Sequence, residues 1–381
     1  MSGTKISERV KCMLWGKAAG RCEYEGCNKL ISLDGLTRHK SNIANIAHIY
    51  ADRSGGPRGN PELSEKSKAD PSNLMLLCYD HHHLIDQDID GHTAEHLREM
   101  KLKHEKRIEL LAAIQPEMKS EILLYGAKIG DNDSDLTYEK ARLALPPERY
   151  PASSEAIELG RRNNSSTERN AEFWRDELQQ LRRLFDTQVK GRLALGKIPH
   201  LSIFAIAPQP LLMELGRLLS DITAAEVFQL HREPQDWIWR DHPVGFSYKV
   251  TRPKMKHRVV ALNLSLSATI LNERILAVLD EPCSIWRMTL PAPDMDFLQS
   301  RLQLQQFREK FRWLLNTIKA QHGEDAVIHV FPAVPVAIAV EIGRVWKTKA
   351  DLPLIVYDQN RECGGFVRAL EISHDPELVG V

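Results

Sequence analysis

Cys22 and Cys27, with four residues between them, and Cys78 and His81, with two, form two close pairs of zinc ligands about 50 residues apart. Zinc takes four thiolate and imidazole ligands in a tetrahedron, and short-spaced pairs supply them with little ordering. In a small unit such a site cross-links two loops that a modest core holds weakly. The chain has six cysteines, four of them in its first 78 residues beside a run of histidines. That crowding points to a structural zinc rather than disulfides. Cys12 is expected in the core of a short helix.

A second set of residues is interleaved with the first. His48 ends an apolar strand pattern, Asn73 precedes the next one, and His82 and Asp86 stand four apart. On a helix that spacing puts both side chains on one face. Together they can hold one divalent cation, Mg or another, with positions left for a phosphate oxygen and water. His48 titrates near neutral pH in its ordinary state and suits a general base. Asn73 either orients His48 or braces the loop through its amide. The chemistry these residues suit is phosphodiester hydrolysis.

The elements that must position them are short. Residues 5–20 read as a helix closing at Gly20, and residues 43–51 (IANIAHIYA) read as a strand. A long polar loop follows, then the buried strand LMLLC and a helix or turn opening on DHHHLIDQD. Residues 93–115 predict an amphipathic helix, N-capped by Thr93, with an apolar stripe at positions 97, 100, 108 and 111. A first domain over 1–115 and a mixed connector over 116–165 are expected, with a further domain over 166–381. Residues 168–190 look helical, and from about Leu201 strands and helices alternate, which implies an α/β fold.

That second domain carries an internal echo. Residues 202–217 read as strand, Pro turn and helix with Glu214-Leu-Gly-Arg217, and residues 327–344 repeat the order with Glu341-Ile-Gly-Arg344. Two related halves about 125 residues apart are the expected arrangement. The helix N-termini after the Pro turns, near Leu211 and Val336, offer backbone N–H groups to phosphates. Trp237 and Trp239 are positioned either to stack on a base or to pack a core, and Arg232 to contact a phosphate or an acidic neighbour.

Lys plus Arg and Asp plus Glu both number 51 in the 381 residues, and residues 1–115 carry 17 cations against 16 anions. No strongly basic grip on nucleic acid is therefore evident, and the C-terminal half shows no evident basic stripe or recognition helix. No apolar run is long enough to span a membrane, and the N-terminus has no apolar signal core, so a cytoplasmic protein is expected.

Ala47-His48, Asn73-Leu74, Cys78-x-x-His81-His82 and Ile85-Asp86 together resemble the HNH endonucleases over about residues 15–110. The resemblance implies an α+β, ββα-metal fold. In it His48 is the base that activates water, Asn73 the middle Asn and His82 a catalytic metal ligand. Asp86 takes the place of a second helix ligand. Many relatives carry a ligand immediately before the base, where this chain has Ala47; the cation is then held by fewer protein ligands, or Asp52 or His83 contributes.

An HNH module ahead of a duplicated α/β domain is similar to the HNH–SAVED effectors of cyclic-oligonucleotide antiphage (CBASS) systems. The stretches that carry this are His231-Arg232 with Trp237-Ile-Trp239, Ala261–Ser265, His329–Arg344 and Pro353–Asp358. SAVED domains resemble two fused CARF-like halves. The resemblance implies a cyclic di- or trinucleotide activator bound near Arg232, Trp237, Trp239, Pro332, Ala333 and Tyr357. It further implies a homo-oligomer, a dimer or higher assembly on activation, and cleavage of double-stranded DNA. A modification-dependent or sequence-specific restriction enzyme, whose C-terminal domain reads DNA, is the alternative.

Overall fold

The structure is a computed structural model that describes residues 5–33, 43–129, 136–160, 171–220, 222, 224–360 and 364–373. Its contacts divide the chain into two units, Met1–Gln115 and Pro116–Val381.

In the first unit α1 (Glu8–Ala18) is capped by Ser7, whose side chain accepts from the Val10 amide, and closes where Ala19 turns left-handed. β1 (Ala44–His48) and, beyond a long loop holding α2 (Leu63–Ser67), β2 (Leu74–Cys78) pair antiparallel, with His48 opposite Leu74 and Ala44 opposite Cys78. β2 is buried along its whole length, which explains its unbroken apolar run. α3 (Tyr79–Gln87) starts directly from its last residue, so the strand pair and this helix make a ββα unit. α4 (Ala94–Ala112) begins at the Thr93 cap. Its buried stripe differs from the expected one: Leu97 and Met100 are buried with Lys101 and His104, whereas Leu111 is exposed. His104 is satisfied there by the Ala18 carbonyl at 3.1 Å, and Lys101 pairs with Glu105, so the polar positions are accommodated in the packing. Cys12, expected in a core, is exposed on α1.

The second unit begins earlier than expected. Part of the stretch read as a connector is a core strand, β3 (Lys119–Gly126), followed by α5 (Tyr138–Arg142), β4 (Tyr150–Pro151) and β5 (Ile157–Glu158). β3 pairs parallel with β4, β5 and β6 (Leu201–Ile206), and Ile122, Leu123, Leu124 and Tyr125 are buried. Residues 130–135 and 161–165 of that stretch lie outside the described residues. α6 (Ala171–Leu184) and a wider helical turn over Phe185–Lys190 lead through α7 (Gly191–Ala194) into β6. α8 (Gln209–Leu218) and β7 (Ala225–Val227) complete the first sheet, in the order β4-β3-β6-β7.

The second sheet is built from β8 (Lys249–Thr251), β9 (Val259–Ser265), β10 (Cys283–Thr289), β11 (Ile328–Ala333), β12 (Leu354–Asn360) and β13 (Gly365–Ile372), in the order β13-β12-β11-β9-β10-β8. α9 (Asn272–Leu279) joins β9 to β10, α10 (Arg301–His322) joins β10 to β11, and α11 (Val336–Val345) joins β11 to β12. The sheet's central β10-β9-β11-β12 run is parallel, which crossover connections through helices make possible.

The internal echo is three-dimensional. α8 and α11 lie against each other at their glycines: a Cβ on Gly216 would fall 1.9 Å from the Val340 carbonyl oxygen, and one on Gly343 would fall 1.8 Å from that of Met213. Each glycine thus meets the carbonyl three residues before its counterpart. The paired motif residues repeat too. Buried Glu214 binds Arg217 and Arg182, and buried Glu341 binds Arg344 and Arg308. Two α/β halves meet back to back through one helix from each.

Candidate metal centre and sensor domain

Cys22, Cys27, Cys78 and His81 converge, with one ligand atom from each lying within 4.8 Å of the other three. The loop carrying the first pair is closed by the Cys22 amide donating to the Lys29 carbonyl at 2.9 Å and by left-handed turns at Gly26 and Asn28. Glu23 docks it on β2: its amide donates to the Leu76 carbonyl at 2.9 Å, and its carboxylate accepts from the Leu76 amide. The other pair spans the β2–α3 junction. His81 Nδ1 stands 3.1 Å from Cys78 Sγ and 3.6 Å from Cys22 Sγ. Tetrahedral zinc with bonds of about 2.0–2.3 Å places ligands about 3.5 Å apart, so these residues fit the ion. Burial, then the neighbouring thiols of Cys78 and Cys27, push the Cys22 thiol up. A cation among three thiolates reverses that penalty.

Tyr24 stacks on His81 at 4.1 Å and 5°. Its hydroxyl donates to His92 Nε2 at 2.9 Å, since His92 Nδ1 donates to the Asp88 carbonyl at 2.8 Å. The His81 ring is therefore held in place by its neighbours, as the second shell of a zinc site would hold it.

His48 lies at the end of β1, half-buried. Its Nε2 lies 2.9 Å from the Lys68 carbonyl, an acceptor only, so Nε2 carries the proton and Nδ1 keeps its lone pair. Asn73 is buried and braces the loop that follows: its Oδ1 accepts from the Tyr50 amide at 2.8 Å and its Nδ2 donates to the Tyr50 carbonyl at 2.9 Å. Of the two roles open to it, this is the bracing one. Ala47 is buried opposite Met75 and supplies no ligand.

His82 and Asp86 do share a face of α3, with Nδ1 to Oδ2 at 3.8 Å. Burial, with His83, His48 and Arg58 acting in the same direction against Asp86, holds His82 below the usual histidine range, so it is a neutral lone-pair donor at neutral pH. His83 instead packs edge-on against Tyr79 at 4.6 Å.

Sequence reasoning missed Arg58. Its almost fully buried guanidinium donates to the Ile49 carbonyl at 2.9 Å, to the Ile85 carbonyl, and to Asp86 Oδ1 at 3.1 Å. It fastens the residue after His48 to α3 and occupies one of the two carboxylate oxygens of Asp86. No local signal marks it, because it lies in a loop whose composition reads as surface.

In the second unit three of the six expected ligand residues, Trp237, Pro332 and Tyr357, are buried. Trp237 is buried, edge-on to Phe204 at 5.2 Å, and Trp239 packs on Phe228 and His231, so Trp237 has no open face for a base. Tyr357 stacks on Phe331 at 4.5 Å and its hydroxyl bonds His329 Nδ1 at 2.9 Å. Pro332 is buried; Ala333 is half-buried, and its carbonyl accepts from Leu266 and Ser267 at 3.0 and 2.7 Å. Arg232 is exposed.

The expected anion-binding amides are engaged as well. The Leu211 amide donates to the Pro208 carbonyl at 3.0 Å, and the Ala337 amide, in the first turn of α11, donates to Gln229 Oε1 at 3.2 Å. What shapes this end of the second sheet is a polar cluster inside β9. Buried Ser265 donates to Asn263 at 2.6 Å and accepts from the Ile270 amide, while Asn263 donates to the Ile270 carbonyl at 2.9 Å. Two polar residues in the apolar run VVALNLS were the available signal.

Residues 181–372 match the family described as the "SMODS-associated and fused to various effectors sensor domain", SAVED. The match takes in half of the chain, and the chain belongs to the SAVED family. No curated protein matches it. Among solved structures it is similar to the Acinetobacter baumannii Cap4 SAVED/CARF-domain containing receptor with the cyclic trinucleotide 2'3'3'-cAAA, at 12% identity and a TM-score of 0.41, covering 82% of this chain and 66% of that one. It is also similar to the Moraxella osloensis Cap4 receptor, at 11% identity and a TM-score of 0.39, covering 82% and 70%. The match thus spans just under two thirds of the Acinetobacter chain. Among the described residues no helix is long and apolar enough to cross a membrane.

Proposed function

We propose that this protein is a metal-dependent endonuclease of double-stranded DNA, gated by a cyclic oligonucleotide that its SAVED domain senses, acting in CBASS-type antiphage defence. The observation that carries the nuclease half is the arrangement around α3. A histidine whose tautomer is set by a carbonyl ends one strand of an antiparallel pair, and a neutral histidine with a carboxylate one turn away sits on the helix that follows. His48 Nδ1 takes the proton of the attacking water. Asn73 and Arg58 hold the backbone on either side of that base. His82 and the free oxygen of Asp86 would hold the divalent cation, which when bound polarises the scissile phosphate. The Cys22, Cys27, Cys78 and His81 cluster would hold zinc and lock the β2–α3 junction. Membership of a sensor-domain family supports the gating half, and assembly of several copies would supply the DNA affinity that a neutral monomer lacks.

The test is degradation of plain plasmid by the full chain with Mg or Mn, screened against cyclic di- and trinucleotides. Cleavage is expected only with one activator present, and His48→Ala is expected to lower it by at least 100-fold, in line with loss of a general base. Cleavage that ignores every nucleotide removes the gating, and undiminished cleavage by His48→Ala removes the proposed base.

A further inference from the structure

Contrary to the expectation that the C-terminal half shows no basic stripe, the edge of the second sheet carries a dense run of cations. Residues 249–258 read Lys-Val-Thr-Arg-Pro-Lys-Met-Lys-His-Arg: five cations and no acid in ten residues of a chain whose cations and anions are equal in total. Lys249, Arg252, Lys254, Lys256 and Arg258 are all exposed. Among the described residues none of the five has an ion-pair partner, and Asp280 and Glu281, at the same end of the sheet as Arg258, make none with them. On neighbouring α10, by contrast, Arg301, Arg308, Arg312 and Lys319 are paired with Glu226, Glu341, Asp351 and Glu324.

The stretch is also held in place. The Oγ of buried Ser284 accepts from the His257 amide at 2.7 Å and donates to the Met255 carbonyl at 3.3 Å, which ties the loop to β10. Beside it Trp313 of α10 is 40% exposed, with the Arg252 guanidinium 5.6 Å and the Lys310 ammonium 5.0 Å from its ring centre. Such contacts pre-order the two cations without neutralising them. Edge protection accounts for part of this charge, since lysines on an outer strand block further strand pairing. However, β8 is only three residues long, and Lys254, Lys256 and Arg258 lie beyond it. Unpaired, pre-ordered cations around an exposed aromatic suit a polyanion.

We propose that the 249–258 edge, with Lys310 and Trp313, is a contact surface for the phosphate backbone of duplex DNA, lying on the sensor domain and indifferent to base sequence. The identity of the polyanion as DNA rests on the nuclease reading above. The surface gives the sensor domain a share in holding the substrate, in addition to any role in sensing.

Binding of a labelled 30-base-pair duplex to full-length His48→Ala protein, followed by fluorescence anisotropy over a salt series, tests this. The variant Arg252→Glu/Lys254→Glu/Lys256→Glu is expected to bind at least tenfold more weakly at low salt. Its slope of log affinity against log salt is expected to be shallower by about 2–3, at about 0.9 for each phosphate no longer neutralised. Trp313→Ala is expected to weaken binding a few-fold. The control Arg192→Glu/Lys197→Glu/Lys349→Glu, with the same change in net charge at exposed positions elsewhere in the unit, is expected to weaken it much less. Equal weakening in the two triple variants, an unchanged slope, an affinity that depends on base sequence, or loss of binding to poly-glutamate but not to DNA would each overturn the proposal. The two readings fail separately. A wild-type chain that cuts plasmid while the edge variant binds normally removes the surface and leaves the nuclease. A wild-type chain that cuts nothing yet binds through this edge does the reverse.

Discussion

The Asn73 amide takes the place of a strand residue: its two bonds to Tyr50 add one side-chain rung to the β1–β2 ladder just past His48. Asn73→Ala leaves the Tyr50 N–H and C=O without those partners and is expected to lower the stability of the first unit by about 1–3 kcal/mol. Urea unfolding would show this as a lower midpoint at unchanged slope, and a wild-type midpoint would mean that the amide braces nothing. Residue type and spacing were enough to pick out the four residues that converge as a zinc-type ligand set and the helix face that His82 and Asp86 share, because both are written in those two properties. Arg58 was not legible, since its partners come from β1 and α3, and nothing in a Gly- and Pro-rich loop shows which cation will fold inward. Trp237 illustrates the opposite limit. An aromatic side chain suits a base stack and a core equally well in sequence, and only the position of Phe204 decides.

At the scale of elements, the close passage of α8 and α11 turns on two atoms that glycine lacks. Gly216→Ala and Gly343→Ala each force the helices apart, since a Cβ would fall 1.9 or 1.8 Å from a backbone oxygen that has no rotamer to change. Each is expected to lower stability by about 1–3 kcal/mol, which calorimetry would register as roughly 2–4 °C for each kcal/mol in a unit of this size. Gly16, inside α1, has nothing within 4 Å of its would-be Cβ, and Gly16→Ala is expected to add about 0.5–1 kcal/mol through helix propensity. If all three substitutions shifted stability alike, the contact at 216 and 343 would not be what holds the halves together. Apolar periodicity and Pro turns revealed both strand–turn–helix units and their kinship. The same pattern left β3 unassigned, because a buried parallel strand is a short continuous apolar run, and this one sits between polar stretches that read as linker.

For the molecule as a whole, acid is expected to act through the second unit. His200 is buried, and its Nδ1 shares a 2.8 Å hydrogen bond with Ser120. Burial, then Arg149 and Arg344, lowers its pKa from 6.5 to about 4. Above pH 6.5 neither the folded nor the unfolded chain protonates this ring, so its contribution to stability is complete. Between 6.5 and about 4 the unfolded chain takes up a proton that the folded one refuses, and stability falls by up to about 3 kcal/mol. Below 4 the loss levels off. A thermal series over that interval should show the second unit of His200→Gln with a flatter profile than wild type; parallel profiles would place the acid sensitivity elsewhere.

The passage at Gly216 and Gly343 also bears on how a duplicated domain can age. Two copies of one ancestral unit ordinarily become free to acquire different residues position by position, each answering only to its own neighbours. Here a methyl group acquired by either copy would be felt first by the backbone of the other. At this crossing neither half can enlarge its residue without disturbing the other's backbone, so the two remain answerable to each other.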